Sequence, residues 1–416
     1  MPISREELLR SLDEQRTQLA ESIVLTPVDS LPFILTDRHR TGFLHGLYLS
    51  DKVRDKDAQQ AAVIQFGGRE RAARDLDAIH KLLATRLGAA AGSMRLLAGL
   101  HAQAATFMSL AAIGDSVLLL SEEGGGHFST AAILQRLGLR VLNLPLDRER
   151  LRVDPDAARA MLADERPDFV FVDRSEGLRY EDFRWLAEVE GPVKVFDASH
   201  YVAQIMTGAY ENPLDWGFDL MLFTLHKSFP GPQKAAIVTR ELGPAWDRML
   251  AGLSLLVSSS HAESSYLAGL ALLRDDWLNR YVERLVPTAL LLEQELRSRG
   301  VPVVPRTAQG EASWPASHHI WIRYGAPNVA FAAFQSLAAV NIHVNYRKLP
   351  YNLEWGLRLG TSHAVSSGLT AEHVGELADV IAETLVGAET EGMRQRVAAL
   401  AREMARDAIV ALEPEG

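Results

Sequence analysis

Apolar positions of the chain cluster into short runs that alternate with amphipathic stretches from about residue 69 onwards. Short apolar runs are typical of strands buried on both faces, and the amphipathic stretches repeat with helical spacing. This alternation favours a parallel or mostly parallel sheet that is covered by helices. The strands predicted in this region are 94–97, 116–120, 140–144, 168–173, 193–196, 219–224 and 235–239.

The two ends of the chain follow other patterns. Residues 4–22 predict an amphipathic helix with Ser4 as its N-cap, whereas residues 23–68 have weak periodicity and predict an extended arm. A long helical stretch over 263–299 leads into a region of mixed elements. There we predict strands at 301–304, 318–323, 342–346 and 357–359, and helices at 328–339, 370–385 and 391–412.

These patterns together predict an α/β protein in three parts. The first is the N-terminal helix and arm over residues 1–68, the second a large domain over 69–290, and the third a smaller C-terminal α+β domain over 291–416. A chain of 416 residues is long enough for two such cores.

Composition narrows the possible functions. Hydrophobic residues make up 47% and charged residues 23%, as in an ordinary globular protein, and a net charge of -10 argues against a nucleic-acid partner. Cysteine is absent, which excludes disulfides and thiolate metal sites, and we assign no metal ligands. No apolar run reaches the length of about eighteen residues that a membrane span needs. The N-terminus has no apolar leader, so we expect a cytoplasmic protein without a membrane partner.

Two of the apolar runs end in residues that can perform chemistry. Lys227 follows the run that ends at Thr224, and a desolvated lysine is a nucleophile towards aldehydes. Asp197 ends the run at 193–196. Alone, such a lysine is most often a surface residue and such an aspartate a helix cap. Together, at the strand ends where α/β folds bind ligands, they predict pyridoxal phosphate, whose aldehyde the lysine holds as a Schiff base while the acid keeps the pyridine nitrogen protonated.

The segments Asp197-Ala198-Ser199-His200 and Thr224-Leu225-His226-Lys227 resemble serine hydroxymethyltransferase, a fold-type I pyridoxal-phosphate enzyme. The resemblance extends over most of the chain and implies a large domain with a seven-stranded mixed sheet and a smaller C-terminal domain. It implies that Thr224, His200 and His226 contact the cofactor beside Asp197 and Lys227. The segment Gly125-Gly126-His127 is similar to that family's glycine loop, which implies that His127 stacks on the cofactor ring.

Other segments carry the substrate and phosphate contacts that the resemblance implies. Arg358, in Gly356-Leu357-Arg358-Leu359-Gly360-Thr361, would grip the α-carboxylate of an amino-acid substrate. The turn Gly99-Leu100-His101 would hold the phosphate at a helix N-terminus, although the usual Ser-Gly-Ser is missing. Ser259 and Ser260 match a phosphate loop of the second subunit, and Tyr48 matches a tyrosine donated across the dimer. We therefore expect a homodimer with shared active sites.

Two departures from the family concern the second substrate. The Tyr-x-Glu of the family, whose Glu serves folate-dependent transfer, appears here as Tyr48-Leu49-Ser50, and a Tyr of its Tyr-Tyr-Gly-Gly is replaced by Phe66. Because the cofactor groups persist while acid/base groups changed, we expect a divergent member that does not use folate. It would act at the Cα–Cβ bond or β-substituent of an α-amino acid, by aldol, transaldol or β-elimination chemistry in specialised metabolism.

Three alternatives remain open at this point. The first is the folate-dependent hydroxymethyltransferase itself, with Asp51 standing in for the lost Glu. The second is decarboxylation or oxidative deamination of an amino-acid conjugate, such as an S-substituted cysteine, as in lincosamide antibiotic biosynthesis. The third is a non-catalytic scaffold, which the presence of Asp197, His200, Lys227 and Arg358 argues against.

Overall fold

A computed structural model describes residues 4–32, 41–49, 56–61, 66–306 and 314–408. Its strands follow the apolar runs of the sequence closely. They are β1 Ile23–Val24, β2 Ala91–Ser93, β3 Ser116–Leu119, β4 Arg140–Asn143, β5 Leu146–Asp147, β6 Arg152–Val153, β7 Phe169–Asp173, β8 Val193–Asp197, β9 Leu220–Thr224, β10 Ala235–Thr239, β11 His319–Gly325, β12 Ile342–His343, β13 Asn345–Lys348 and β14 Trp355–Gly360.

The α-helices fill the segments between these strands, and none in the described ranges is long and apolar enough to cross a membrane. The first has Ser4 as its N-cap, as predicted, and Ser4 forms a capping box with Glu7. The helices are α1 Arg5–Ala20, α2 Lys56–Ala61, α3 Glu70–Arg86, α4 Gly99–Leu110, α5 Thr130–Arg136, α6 Pro155–Glu165, α7 Val202–Met206, α8 Pro244–Leu256, α9 Ala262–Leu272, α10 Asp275–Ser298, α11 Pro327–Ala339, α12 Ser362–Ser366, α13 Ala371–Leu385 and α14 Thr390–Met404.

The chain divides into two compact units. One spans residues 32–278, and the other combines residues 1–31 with 279–416. This grouping differs from the predicted boundaries at residues 68 and 290. The N-terminal segment groups with the C-terminal unit because β1 pairs in parallel with β12, far along the chain.

The unit of residues 32–278 is built on a seven-stranded sheet with the order β2-β10-β9-β8-β7-β3-β4. The strands from β9 to β4 are parallel, whereas β10 runs antiparallel to both of its neighbours. The sheet is therefore mixed, as predicted. Every position of β7, β9 and β10 is buried, because helices cover both faces. The carboxyl ends of β7, β8 and β9 lie together at one edge, which is where α/β sheets bind ligands.

Five predicted elements differ from the observed ones. The strand expected at 342–346 is divided into β12 and β13, and the helix expected at 391–412 is α14, which ends at Met404. The strand expected at 94–97 is an extended connection into α4, and the strand itself lies earlier, at β2. The helix expected over 263–299 is two helices, because the chain turns at Leu273 and Arg274 between α9 and α10. The strand expected at 301–304 is reduced to one bridge between Val303 and Ile322, since the neighbouring Pro302 has no N–H to donate.

The other unit contains an antiparallel sheet with the order β11-β14-β13. Its middle strand, β14, places Arg358 opposite Trp321 on one side and Asn345 on the other. Gly360 lies against the N-terminal segment, where a Cβ atom would come within 2.5 Å of Pro27 Cβ. This glycine is needed because a side chain would displace the backbone of the chain that crosses there.

Candidate active site

The site in residues 32–278 is built from polar residues that end the buried strands. Asp173 and Asp197 are the last residues of β7 and β8, and they are register partners in the parallel pair. Thr224 ends β9, and three residues later the chain reaches Lys227. Because these strands are parallel neighbours, their ends bring an acid, a hydroxyl and a lysine to one edge of the sheet.

Asp197 is buried and held in a fixed orientation. Its Oδ1 accepts a hydrogen bond from Ser199 N at 2.9 Å, and its Oδ2 accepts one from Gln103 Nε2 at 3.1 Å. Burial raises the pKa of Asp197, the neighbouring Asp173 raises it further, and Lys227 opposes both effects. A carboxyl group of this kind can pair with a pyridinium, since its partners orient it without neutralising it.

The lysine segment is tied to the segment that carries Asp197. Thr224 N donates to Ser199 Oγ at 3.0 Å, and Ser228 Oγ donates to Ser199 O at 3.0 Å. Lys227 itself is partly buried. Burial raises the pKa of both Asp173 and Asp197, and the charge of Lys227 opposes this rise. The structure thus brings the predicted lysine and the predicted acid into electrostatic reach, with His200 and His226 beside them in sequence.

The glycine loop before His127 has a conformation that only glycine tolerates. Gly125 has φ +94°, and a Cβ atom there would lie 2.1 Å from the carbonyl oxygen of Glu176. The loop directs His127 N to Asp173 Oδ2 at 3.2 Å, while His127 Nδ1 contacts Ser129 Oγ at 2.9 Å. The predicted histidine therefore lies at the same strand edge as the acids.

The turn predicted to hold phosphate opens α4 at Gly99. Its N-cap residue is Ala98, whose side chain offers no capping group, so the first amides of the helix are left for other acceptors. Leu97 N donates to His101 Nδ1 at 3.1 Å, so in the neutral ring the proton lies on Nε2. Burial, with a contribution from Lys234, lowers the pKa of His101. The exposed Leu100 brings no polar group to this turn.

Tyr48 and the serine loop form one substructure, which we call the arm–loop contact (Tyr48–Leu49 with Ser259–Ser260). Leu49 N donates to Ser259 Oγ at 3.3 Å, and Ser260 Oγ donates to Leu49 O at 3.2 Å. The ring of Tyr48 packs on that of Phe66 with centroids 4.6 Å apart, and both residues are about 40% exposed. The predicted Ser50 lies outside the described residues.

Arg358 belongs to the other unit and is buried in the middle strand β14. Burial lowers the pKa of its guanidinium to about 10. His318 in the same unit has its pKa lowered to about 3 by burial and by the charges of Arg358 and Arg306. A buried cation of this kind needs an anionic ligand or carbonyl partners.

Three residues of the large unit were not singled out by the sequence analysis. Asp173 accepts the amide of His127, Gln103 bridges Asp173 and Asp197, and Lys234 is fully buried with its Nζ 2.5 Å from Ser260 O. Asp173 could have been found from the sequence, because it ends an apolar strand just as Asp197 does. Gln103 and Lys234 could not, since their hydrogen-bond partners are distant in sequence.

The residues at this edge fit pyridoxal phosphate. Thr224 Oγ1 is buried and has no hydrogen-bond partner among the residues that the structure describes. A buried hydroxyl in this position is costly unless a ligand atom pairs with it. Beside it lie a partly buried lysine for an aldehyde, a buried acid for a pyridine nitrogen and uncapped helix amides for a phosphate.

No family model matches the chain. Among characterised proteins, it is 32% identical over 317 residues to fluorothreonine transaldolase of Streptantibioticus cattleyicolor, which covers 75% of this chain but only 49% of the relative. The chain thus spans about half the length of that protein. A serine hydroxymethyltransferase of Pyrobaculum calidifontis is 30% identical over 336 residues, covering 77% of this chain and 76% of the relative. The chain belongs to the serine hydroxymethyltransferase family.

A further relative and a solved structure are also similar to the chain. An L-threonine:uridine-5'-aldehyde transaldolase of a Streptomyces species is 30% identical over 295 residues, covering 70% of this chain and 68% of the relative. In fold, the protein matches the crystal structure of L-threonine transaldolase from Pseudomonas fluorescens in its internal aldimine state. The TM-score is 0.85 and the sequence identity 21%, and the match covers 97% of this chain and 93% of the other. These comparisons confirm three predictions: fold type I, an enzyme of this family, and pyridoxal phosphate as its cofactor.

Proposed function

We propose that this enzyme breaks and re-forms the Cα–Cβ bond of a β-hydroxy-α-amino acid without folate, as an aldolase or transaldolase. The observation that carries the proposal is the pair Tyr48 and Phe66. These rings pack on each other, and Phe66 brings no hydroxyl to the place where the family has a tyrosine. Relatives named fluorothreonine transaldolase and L-threonine:uridine-5'-aldehyde transaldolase support a β-hydroxy amino acid as the donor.

The residues of the site have distinct tasks in this reaction. Lys227 would hold the aldehyde of the cofactor and give up that place to the substrate amine. Asp197 would keep the pyridine nitrogen protonated, and His127 would stack on the ring. Arg358, which belongs to the other unit, would bind the α-carboxylate with two parallel donors. Pyridoxal phosphate, when bound, supplies the electron sink that accepts the electron pair left at Cα.

The bond changes of the proposed reaction balance without a further reactant. The β-hydroxyl loses its proton, a carbonyl forms at Cβ, and the Cα–Cβ bond breaks so that an aldehyde leaves. A second aldehyde can then be attacked by Cα, and its oxygen takes up the proton. The same steps run in both directions, so one site can give two outcomes. If Cα takes up a proton from water, the reaction is that of an aldolase; if Cα attacks an acceptor aldehyde, it is that of a transaldolase.

A mixture of L-threonine with a panel of aldehydes, analysed by mass spectrometry, tests this proposal. We expect acetaldehyde and a new β-hydroxy amino acid in the absence of tetrahydrofolate, and neither product from the Lys227→Ala variant. Carbon dioxide or ammonia as the only product would contradict the proposal and favour the decarboxylation or deamination alternative. 2-Oxobutyrate, which forms together with ammonia when threonine loses its β-hydroxyl, would favour β-elimination.

We propose that the enzyme is a cytoplasmic homodimer whose partner subunits complete each other's sites, acting in specialised metabolism such as antibiotic biosynthesis. Leu8, Leu9, Leu12 and Leu19 of α1 are about half exposed, as expected of a helix that packs on a second copy. Tyr48 and Ser259 lie together in the arm–loop contact. The Ser259 oxygen accepts a hydrogen bond from Leu49 N, so its own proton can be donated to another acceptor.

Mixed dimers test the shared site. Lys227→Ala and Tyr48→Ala are each expected to be inactive, yet a random mixture should recover about a quarter of the activity, because half of the dimers then contain one intact site. No recovery after verified subunit exchange would show that Tyr48 serves its own subunit. Light scattering on the same samples reports whether a dimer forms.

A second candidate, folate-dependent hydroxymethyl transfer, is favoured by the serine hydroxymethyltransferase relatives. The conversion of L-serine to glycine with and without tetrahydrofolate separates it from the first. A rate that depends on folate and equals that of an ordinary hydroxymethyltransferase would establish the second candidate.

A further inference from the structure

Asp173 forms a close pair with Asp197 at the cofactor edge of the large sheet. The two residues are 2% and 5% exposed. Gln103 Nε2 donates to the Oδ2 atoms of both at 3.1 Å, so these oxygens are no more than about 6 Å apart, within the range where like charges interact strongly. Thr130 Oγ1 donates to Gln103 Oε1 at 2.8 Å, which fixes the amide with its nitrogen towards the acids.

Among the residues that the structure describes, one cation, Lys227 in the loop after β9, is the charge that opposes the effect of burial on both carboxyl groups. The hydrogen bonds to the pair come from neutral donors. Besides Gln103, these are Ser175 Oγ, Thr130 Oγ1 and the backbone N–H of His127 to Asp173, and Ser199 N to Asp197. Burial raises the pKa of both acids, and Asp173 raises that of Asp197 further. A second buried negative charge would therefore lack a counter-charge.

We propose that Asp173 and Asp197 together bind one proton while the Gln103 amide donates to both, and that Asp173 is a positioning residue that keeps the pair at a single negative charge. Asp197 can then be ionised towards the cofactor nitrogen while Asp173 carries the proton, and no second charge is buried. The titration belongs to the pair and not to either residue. This inference goes beyond the proposed function, because it concerns the charge of the pocket and not the bond that is broken.

Infrared spectroscopy of the cofactor-free protein tests the shared proton directly. The wild type is expected to show the carbonyl stretch of one buried carboxylic acid. In Asp173→Asn and in Asp197→Asn the pH midpoint of that band should fall by about 1 to 3 units, since the like charge is gone. Asp168→Asn is the matched control, because Asp168 precedes the same strand at its opposite end and bonds to Ser116. Midpoints in both site variants equal to the control would overturn the proposal.

A double-mutant cycle on the visible band of the bound cofactor provides a second readout. Asp173→Asn keeps the negative charge on Asp197, so the pH midpoint of the band should shift by less than about half a unit from that of the wild type. Asp197→Asn lacks the partner of the pyridine nitrogen and serves as the second reference. There, the further change Asp173→Asn removes the last negative charge of the pair, and the midpoint should fall by about 1 unit or more. An equal effect of Asp173→Asn on both backgrounds would show independent charges and overturn the proposal.

The bridging amide supplies a variant that keeps both acids, in case Asp173→Asn does not fold. Gln103→Met removes the N–H groups that both carboxyl groups accept. Because a hydrogen bond to the ionised form lowers an acid's pKa, its loss should raise the infrared midpoint of the pair. An unchanged midpoint in a folded Gln103→Met variant, shown by thermal unfolding, would contradict the bridging role.

Discussion

The glycine loop before His127 allows a prediction whose size follows from two distances. In Gly125→Ala, the new Cβ atom would lie 2.1 Å from Glu176 O, far below the 3.0 Å that Cβ atoms keep from other heavy atoms. The loop must therefore move. Its movement weakens two hydrogen bonds. One runs from Glu176 N to Gly125 O, at 2.8 Å, and the other from His127 N to Asp173 Oδ2.

Losing two such buried bonds costs about 2 to 4 kcal/mol, in addition to about 1 to 2 kcal/mol for the left-handed backbone. Gly191→Ala is the matched control, because Gly191 has φ +109° and no atom within 4 Å of a built Cβ. The Gly191→Ala variant therefore has the same kind of backbone strain as Gly125→Ala but no steric contact at the new Cβ atom.

Urea unfolding of both variants measures the difference in the free energy of unfolding, and cofactor titration measures affinity. We expect Gly125→Ala to be less stable than Gly191→Ala by about 2 to 4 kcal/mol and to bind pyridoxal phosphate more weakly. Equal stability and equal cofactor affinity of the two variants would refute the view that this loop is fixed by its packing on Glu176.

Three further predictions concern the acid, the carboxylate clamp and a buried histidine. Asp197→Asn should fold normally and lose turnover by about 100-fold or more, whereas a helix-cap role would cost about 1 kcal/mol of stability without a change in rate. Arg358→Lys should weaken binding of amino acids while the cofactor band stays normal, and amines without the carboxylate should be poor substrates of the parent; equal turnover of paired amino acids and amines would disprove this role. Burial lowers the pKa of His80 to about 4, so its stabilising effect is present above pH 6.5 and is lost as the pH falls towards 4. Urea unfolding at pH 7 and at pH 4 measures how much free energy of unfolding each protein loses. The loss should be about 3 kcal/mol smaller for His80→Gln than for the wild type, and equal losses would contradict the role given to His80.

The strands of the large unit could be predicted because burial on both faces makes them continuously apolar. The run at 94–97 misled this approach, since an extended connection into α4 is as apolar as a strand. The N-terminal segment could not be assigned to the C-terminal unit, because the pairing of β1 with β12 joins residues more than 300 positions apart in the numbering.

The site was predictable where one residue type at a strand end carries the chemistry, as with Asp197 and Lys227. Gln103 illustrates the opposite case. It lies on α4 and owes its position to acids on two strands and to Thr130 on another helix. No local pattern in the sequence reports such a convergence, because it depends on strand register and on helix packing. The pairing of Asp173 with Asp197 is likewise visible only once β7 and β8 are aligned.

Isotope exchange is the most direct test of Cα–Cβ cleavage, because it needs no knowledge of the natural acceptor. The enzyme is incubated with L-threonine and isotopically labelled acetaldehyde, without tetrahydrofolate, and the recovered threonine is analysed by mass spectrometry. The proposed function predicts label at Cβ and Cγ of threonine with the wild type and none with Lys227→Ala. Threonine that is consumed without incorporating label, with release of carbon dioxide or ammonia, would contradict it.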